Sequence, residues 1–185
     1  VYGLGANALD ADAVRRIYET KGRPSDNPLI LHVSSIEMTE GLVELNWRAR
    51  MLMEKFWPGP LSIVLPAKEV IPSRTRGGLP TAAVRMPDAA VALALIKFSN
   101  LPIAAPSANI SGRPSPTDAE TVRRDVGDKI PLVIDGGETR FGVESTVIDM
   151  TGEHAVLLRP GGLAKEDIES ELGEEVLLPQ DQTII

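Results

Sequence analysis

The chain has 185 residues and a formal net charge of −7, with 43% hydrophobic and 24% charged residues. This size and composition indicate one globular domain with a sizeable core, and the acidic balance argues against a protein dedicated to binding duplex nucleic acid. The chain contains no cysteine, which excludes disulfides and cysteine-bound zinc and fits a cytoplasmic location. No apolar run reaches the ~18–20 residues that cross a bilayer, so we expect no membrane segment.

Hydrophobic periodicity and turn residues predict helices that alternate with strands. The first helix is predicted over Ala11–Lys21, capped by Asp10 and ended by Gly22. The other helices are predicted at 34–56 with a break near Gly41, at 88–98, at 118–126 and at 165–172. The strands are predicted at 29–33, 61–65, 82–86, 102–105, 132–134, 145–150 and 155–159. The helix at 88–98 is rich in alanine, valine and leucine, so we expect it to be mostly buried.

Strands that alternate with helices and end in a hairpin predict an α/β fold with a mixed sheet. Residues 1–5 run from apolar side chains into glycines, and we expect a further strand to precede them. We predict one domain over residues 1–172. Residues 173–185 are largely polar and acidic and are predicted to be a tail or the start of an interdomain linker.

A basic loop follows the first predicted helix. Lys21 and Arg23 flank a glycine, and two prolines stiffen the segment that carries Asn27. Such a loop can present both cations to phosphates, with Asn27 as a neutral hydrogen-bond partner. Lysine, glycine and proline are also common where a helix simply ends, so both interpretations stay open.

A polar loop, 106–117, follows the strand predicted at 102–105. It holds three serines, an asparagine, an arginine and a threonine. Because open α/β sheets bind ligands at the carboxyl ends of their strands, this loop is well located for contact with a ribose and phosphates. The alternative is a surface loop that contains ordinary turn residues.

Ser145 begins one strand of the predicted hairpin and Arg159 ends the other, so both can face one cleft. Arg85 lies near the end of the strand predicted at 82–86. For both arginines the alternative is that they do no more than end a strand before a proline-containing turn. We nevertheless expect the loop 21–27, the loop 106–117 and the pair Ser145 and Arg159 to converge on one anion-binding cleft.

Two further patterns are set aside. A glycine pattern at residues 3–8 matches a dinucleotide fingerprint loosely, but it lacks an acidic residue about 20 positions on. A catalytic triad can be assembled on paper from Ser107, His32 and Asp135, yet no serine stands in a Gly-x-Ser-x-Gly elbow.

Seven short motifs together resemble the YrdC-like family. In chain order they are Tyr-Gly-Leu, Lys-Gly-Arg-Pro-x-x-Asn-Pro-Leu, Trp-Pro-Gly-Pro-Leu, Val-Arg-x-Pro, Pro-Ser-Ala-Asn-x-Ser-Gly, Ser-Thr-Val and Leu-Arg-Pro-Gly. The resemblance covers residues 1–172, and seven motifs in one order are highly specific. The chain departs from the family in two respects. A Pro-Thr-[Glu/Asp]-Thr stretch would stand before Val1, and Asp88-Ala89 follows Met-Pro where many members have His-Pro.

The resemblance implies a twisted, open α/β sheet with a deep central cleft, and a catalytic domain over residues 1–172. It implies an enzyme that condenses L-threonine, bicarbonate and ATP into L-threonylcarbamoyl-AMP with release of pyrophosphate. ATP would be a substrate and Mg²⁺ a cofactor, with no metal ligand assigned to the protein. The adenylate would serve threonylcarbamoylation of adenosine 37 in tRNA through separate tRNA-modifying proteins, with at most weak RNA binding by this chain.

The resemblance also assigns residues. Implied ATP contacts are Lys21, Arg23, Asn27, Thr81, Ser107, Asn109, Ser115 and Arg159. Implied threonine contacts are His32, Arg85, Ala105 and Ser145, with Ala105 acting through its backbone. Lys21 and Arg23 are the implied catalytic residues, because cations can stabilise charge that develops on the leaving phosphates.

Two other functions remain open at this point. One is a module that binds double-stranded RNA, which would show steeply salt-dependent binding and no ATP turnover. The other is the YrdC-like domain of hydrogenase-maturation carbamoyltransferases, which forms carbamoyl-AMP from carbamoyl phosphate.

Overall fold

The computed structural model describes residues 1–139 and 142–179. In this part of the chain one open sheet of seven strands packs with six α-helices. The strands are β1 (Ala6–Asn7), β2 (Ile30–His32), β3 (Leu61–Pro66), β4 (Thr81–Arg85), β5 (Ile103–Ala104), β6 (Thr146–Asp149) and β7 (Val156–Arg159). The helices are α1 (Ala11–Lys21), α2 (Ile36–Glu40), α3 (Trp47–Phe56), α4 (Ala90–Ser99), α5 (Ala119–Val126) and α6 (Lys165–Leu172), and a 3₁₀ turn spans Gly127–Lys129.

The sheet is mixed and its strand order is β1-β5-β2-β4-β3-β6-β7. The pairs β2/β4 and β3/β6 are parallel, and the other neighbouring strands are antiparallel. The predicted α/β class with an open, mixed sheet is therefore confirmed. None of the helices within the described residues is long and apolar enough to cross a bilayer.

The register brings several strand ends to one edge of the sheet. His32 lies opposite Arg85 at the carboxyl ends of β2 and β4, and Leu61 lies opposite Thr146 at the amino ends of β3 and β6. Strand β3 runs antiparallel to β4, so the amino end of β3 lies beside the carboxyl end of β4. Strand β6 runs antiparallel to β7, so the amino end of β6 lies beside the carboxyl end of β7 at Arg159. We call this edge of the sheet the strand-end edge.

Helix α1 has the predicted bounds, and its capping explains why. The Asp10 carboxylate accepts hydrogen bonds from the backbone of Asp12 and Ala13, which satisfies free N–H groups of the first turn. At the other end Gly22 adopts a left-handed conformation with φ of 62°, which favours glycine. The helix therefore ends with Lys21 in its last turn and turned inward, only 2% exposed.

The prediction that the helix at 88–98 is mostly buried was wrong. In α4 only Ile96 is buried, while Val91 and Leu95 are 43% and 45% exposed and Phe98 is 89% exposed. A single helix can bury only the stripe that faces its neighbours, and the apolar residues of α4 extend around the helix beyond that stripe. Composition alone therefore overestimated its burial.

The strand predicted at 132–134 is also absent from the described part of the sheet. Leu132 and Ile134 are 70% and 42% exposed, and no strand pairs with this segment within residues 1–139 and 142–179. A short apolar run resembles a buried strand in sequence, but it forms one only where a neighbouring strand offers free backbone groups.

The segment after α6 returns to the sheet. Val176 is buried, and the backbone of Leu177 accepts from Leu157 and donates to Ala155, beside β7. Residues 180–185 of the predicted tail or linker lie outside the described residues. The boundary at Leu172 stays a prediction.

Candidate active site

Lys21 connects the loop 21–27 to the loop 106–117. Its ammonium donates to the backbone oxygens of Ser107 and Asn109, the latter at 2.6 Å, and lies 3.4 Å from Asn109 Oδ1. The backbone carbonyl of Lys21 accepts from Ser111. Since an ammonium has three N–H donors, the loop at 107–111 accounts for all of them.

Burial makes the Lys21 ammonium easier to deprotonate. It lowers the pKa of this ammonium from 10.5 to about 8, assisted by the nearby positive charge of Arg23 and opposed by Glu144. Three oxygens around the ammonium offset part of the desolvation cost. A direct phosphate contact by Lys21 stays a prediction, because the structure shows its donors directed at the loop.

Arg23 is held by its own loop. Its guanidinium donates to Asn27 Oδ1 at 2.7 Å from Nη2, to the Pro28 carbonyl from the same nitrogen and to the Asn27 carbonyl from Nε. These bonds leave Nη1 without a hydrogen-bond partner among the described residues. Burial lowers the pKa of Arg23, with Tyr18 and Glu144 opposing this effect and the positive charge of Arg159 adding to it.

Arg85 is fixed at the strand-end edge by one nitrogen. Its Nε donates to the Gly59 carbonyl at 2.9 Å. Neither Nη group has a hydrogen-bond partner within the described residues, so the planar end of the side chain can still bind a carboxylate with two bonds. Burial lowers the pKa of Arg85, with Asp88 opposing and Arg159 adding to the effect.

His32 lies beside Arg85 and is uncharged. Burial lowers the pKa of its imidazole to about 4, and the positive charge of Arg85 adds to the effect. Its Nδ1 lies 3.3 Å from the Ile103 carbonyl. Because a carbonyl only accepts, this contact favours the proton on Nδ1 and leaves Nε2 as an acceptor.

Arg159 and Ser145 are joined at the same edge. The Arg159 guanidinium donates to the Ser145 carbonyl at 2.8 and 3.1 Å and to Ser145 Oγ at 3.2 Å. It also forms a 2.9 Å ion pair with Glu144. Glu144 in turn accepts from the hydroxyl of Ser115 at 3.3 Å, which ties the end of the loop 106–117 to this edge.

Gly161 allows this arrangement. A Cβ atom at this position would lie 2.4 Å from the backbone carbon of Ser145 and 2.4 Å from the backbone nitrogen of Thr146. Only glycine permits the chain after β7 to pass so close. The Pro-Gly that follows Arg159 therefore holds Arg159 against Ser145.

Several of the predicted residues lie close together in the structure, and their binding of one anionic ligand stays a prediction. Hydrogen bonds join Lys21 to Ser107 and Asn109, and Arg23 to Asn27. Ser115 is linked through Glu144 to Arg159 and Ser145, and His32 lies opposite Arg85. Thr81 begins β4 opposite Pro66, about 13 Å along the strand from Arg85. Ala105 donates its backbone N–H to Ile30. In the described residues no hydrogen bond joins Thr81 or Ala105 to another predicted site residue.

Sequence reasoning did not select Ser62, Gly59 or Glu144 as site residues. Ser62 is wholly buried, and its hydroxyl lies 2.8 Å from Ser145 Oγ. A lone serine inside the apolar run 61–65 was the available signal, since a buried hydroxyl needs a partner. Gly59 acts through its carbonyl, which no side-chain pattern reveals.

Comparison with known proteins identifies the family. A model of the Sua5/YciO/YrdC family, described as telomere recombination, matches residues 1–161. The chain belongs to this family. The resemblance inferred from the seven motifs is thus confirmed over most of the range in which they occur.

Two curated relatives illustrate the similarity. The chain is 62% identical over 175 residues to a threonylcarbamoyl-AMP synthase of Pyrococcus abyssi, which covers 94% of this chain and 52% of the relative. It is 55% identical over 175 residues to a threonylcarbamoyl-AMP synthase of Bacillus subtilis, covering 94% of this chain and 51% of that protein. The chain therefore spans about half the length of these relatives.

A solved structure of the family has the same fold. The crystal structure of P. abyssi Sua5 complexed with L-threonine superposes with a TM-score of 0.94 at 59% sequence identity. The match covers 99% of this chain and 54% of that chain. A ligand is thus named for a close structural relative, and it carries the ammonium, hydroxyl and carboxylate groups of an amino acid.

Proposed function

We propose that this chain forms L-threonylcarbamoyl-AMP from L-threonine, bicarbonate and ATP, with release of pyrophosphate. The observation that carries the proposal is the environment of Arg85. Its two Nη groups are free of protein hydrogen bonds in the described structure, and the uncharged His32 lies opposite Arg85 in the neighbouring strand. The P. abyssi and B. subtilis relatives named for this activity support the same function.

Threonine fits the strand-end edge. The guanidinium of Arg85 binds the carboxylate through two parallel hydrogen bonds. His32 Nε2 accepts from the ammonium or hydroxyl of the amino acid, and it does so across the physiological pH range because its pKa is about 4. Ser145 adds a hydroxyl. Ala105 remains a proposed backbone contact to the same ligand.

The nucleotide fits between the two loops and Arg159. Arg23 and Arg159 are the proposed phosphate contacts, and Arg159 is held by its ion pair with Glu144. Ser107, Asn109 and Ser115 belong to the loop that lines the nucleotide side, and Thr81 stays a proposed ATP contact. Asn27 orients Arg23.

The reaction requires charge stabilisation more than a protein nucleophile. The carboxylate of N-carboxythreonine attacks the α-phosphorus, and the bond to the leaving pyrophosphate breaks. Negative charge moves onto the leaving phosphates, where fixed cations such as Arg23 and Arg159 stabilise it. Water must stay away from the mixed anhydride, because water hydrolyses it.

Mg²⁺ would supply further positive charge to the phosphates. The described residues contain no group of three or more histidine, cysteine, aspartate or glutamate side chains that could hold a metal ion. We propose that Mg²⁺ would arrive with the triphosphate, as it commonly does. Glu144, beside Ser115 and Arg159, is the carboxylate that such an ion would meet.

The product would serve tRNA modification at adenosine 37 through separate proteins, and a cytoplasmic location is part of the proposal. Pyrophosphate release tests the chemistry. The chain is incubated with ATP and Mg²⁺ and given threonine plus bicarbonate, carbamoyl phosphate, or neither. We expect release only with threonine plus bicarbonate. Release with carbamoyl phosphate alone would instead assign the carbamoyl-adenylate reaction.

Binding provides a second readout that does not depend on turnover. Calorimetric titration of threonine and of ATP is expected to show both ligands bound at one site each. Absence of both, together with salt-dependent binding of duplex RNA, would overturn the proposal in favour of an RNA-binding module.

A further inference from the structure

Ser62 is a polar residue in an apolar strand. It lies in β3 between Leu61 and Ile63, and all three residues are fully buried. Its hydroxyl lies 2.8 Å from Ser145 Oγ, and this is its only hydrogen-bond partner among the described residues. A buried hydroxyl is unfavourable unless it is hydrogen-bonded. Ser145 supplies the partner that Ser62 needs and that an alanine at position 62 would not need.

The direction of this hydrogen bond follows from the neighbours of Ser145. Arg159 is always a donor, so Ser145 Oγ accepts from its Nη2 at 3.2 Å. A serine oxygen accepts two hydrogen bonds and donates one. If Ser145 also donated to Ser62, the proton of Ser62 would have no acceptor in a position closed to water. Ser145 retains 3% of its surface exposed, whereas Ser62 has none.

The arrangement in which Ser62 donates to Ser145 is therefore favoured, because it leaves no wholly buried O–H group without an acceptor. Two donors, Ser62 and Arg159, then occupy both acceptor positions of Ser145 Oγ. The O–H of Ser145 then has no acceptor among the described residues and can donate a hydrogen bond to a ligand at the strand-end edge. An O–H that must donate is matched to an anionic or carbonyl oxygen rather than to an ammonium.

We propose that Ser62 is a positioning residue that orients the hydroxyl of Ser145 as a hydrogen-bond donor to the oxygen atoms of the bound amino acid. The inference rests on the proposed function for the identity of the ligand, and on the contacts above for the role of Ser62. Ser62 does not touch the ligand itself. It acts by fixing which way the proton of Ser145 points.

A double-mutant cycle measures this role. Threonine is titrated calorimetrically into the parent, Ser62→Ala, Ser145→Ala and the double variant. We expect Ser62→Ala to weaken threonine binding roughly two- to tenfold and to leave ATP binding unchanged. In the Ser145→Ala background the further loss from Ser62→Ala should vanish, because the hydroxyl that Ser62 orients is gone.

Controls separate orientation from stability. Ser62→Thr keeps the hydroxyl and should retain near-parental threonine affinity. Thr39→Val removes another fully buried hydroxyl, which donates to the Ser35 carbonyl in α2, and should lower stability without changing threonine affinity. An equal loss from Ser62→Ala with and without Ser145, or an equal loss for ATP, would show that Ser62 only supports the fold.

A second measurement needs neither variants nor ligand. Neutron diffraction from deuterated crystals of the parent locates the deuteron between the two hydroxyls. We expect it on Ser62 Oγ and pointing to Ser145 Oγ, and a deuteron that Ser145 donates to Ser62 would overturn the inference. Failure of the parent to bind threonine would count against the proposed function, while the neutron result would still decide the role of Ser62.

Discussion

Lys21, which is buried, and Arg85, which is partly buried, are both cations at the ends of regular elements, yet the structure holds them in opposite ways. On the loop side, Lys21 directs its three donors at oxygens of the loop 107–109. At the strand-end edge, Arg85 uses one nitrogen on the Gly59 carbonyl and keeps two others free of protein hydrogen bonds in the described residues. Lys21 therefore stabilises the structure of the site, whereas Arg85 has donors available for a ligand.

This difference shows that a basic residue in a cleft is not by itself a phosphate or carboxylate contact. What matters is how many of its donors the protein has already used. Arg23 and Arg159 are intermediate cases, since neighbouring oxygens of the protein accept some of their N–H groups. Four substitutions or titrations test the comparison.

The largest effect is expected for Lys21→Met. The variant leaves the carbonyls of Ser107 and Asn109 buried without their donor, so we expect the free energy of unfolding to fall by about 2–4 kcal/mol. Urea denaturation measures the loss, and Lys97→Met on the exposed face of α4 is the control. Unchanged stability together with weaker ATP binding would show that Lys21 is a phosphate contact.

The pH dependence of stability sharpens the same point. Burial lowers the pKa of Lys21 from 10.5 to about 8, so between these values the unfolded chain binds more protons than the folded chain. The free energy of unfolding contributed by Lys21 therefore rises with pH across this window. The difference in stability between the parent and Lys21→Met should grow from pH 8 towards pH 10.5, and a difference that does not depend on pH would contradict the assigned burial.

Arg23→Ala should mainly affect the nucleotide. Removal of a charge-assisted contact to phosphate costs about 1.5–3 kcal/mol, or roughly 10- to 100-fold in ATP affinity. Threonine binding and stability should change little, because among the described residues Arg23 is hydrogen-bonded only to Asn27 and Pro28. ATP titration measures the effect, with the exposed Arg16→Ala as control. Parental ATP affinity would support the alternative that this loop only ends a helix.

Much of the fold could be predicted because local signals and tertiary structure agree. Asp10 and Gly22 bound α1 as their capping chemistry requires, and the hairpin of β6 and β7 forms around residues 151–153. The failures are α4 and the segment 132–134. Both are apolar, and whether an apolar segment is buried depends on neighbours that the sequence of the segment does not specify.

The candidate site was predicted less completely, for a similar reason. The basic and hydroxyl residues of the loops were found from their motifs. The roles of Lys21 and Ser62 depend on which atoms their side chains meet, and these partners are 86 and 83 positions away. No local pattern contains that information.

Arg85→Lys is the most direct test of the claim that free donors at the strand-end edge bind the ligand. Lysine keeps the charge but loses the planar fork, so threonine affinity should fall by about 1–2 kcal/mol, roughly 5- to 30-fold. ATP affinity should stay at the parental value, because other side chains contact the phosphates. Threonine and ATP are titrated separately into the variant and into Arg16→Lys as control. Parental threonine affinity, or an equal loss for both ligands, would contradict the assignment of Arg85 as the carboxylate anchor.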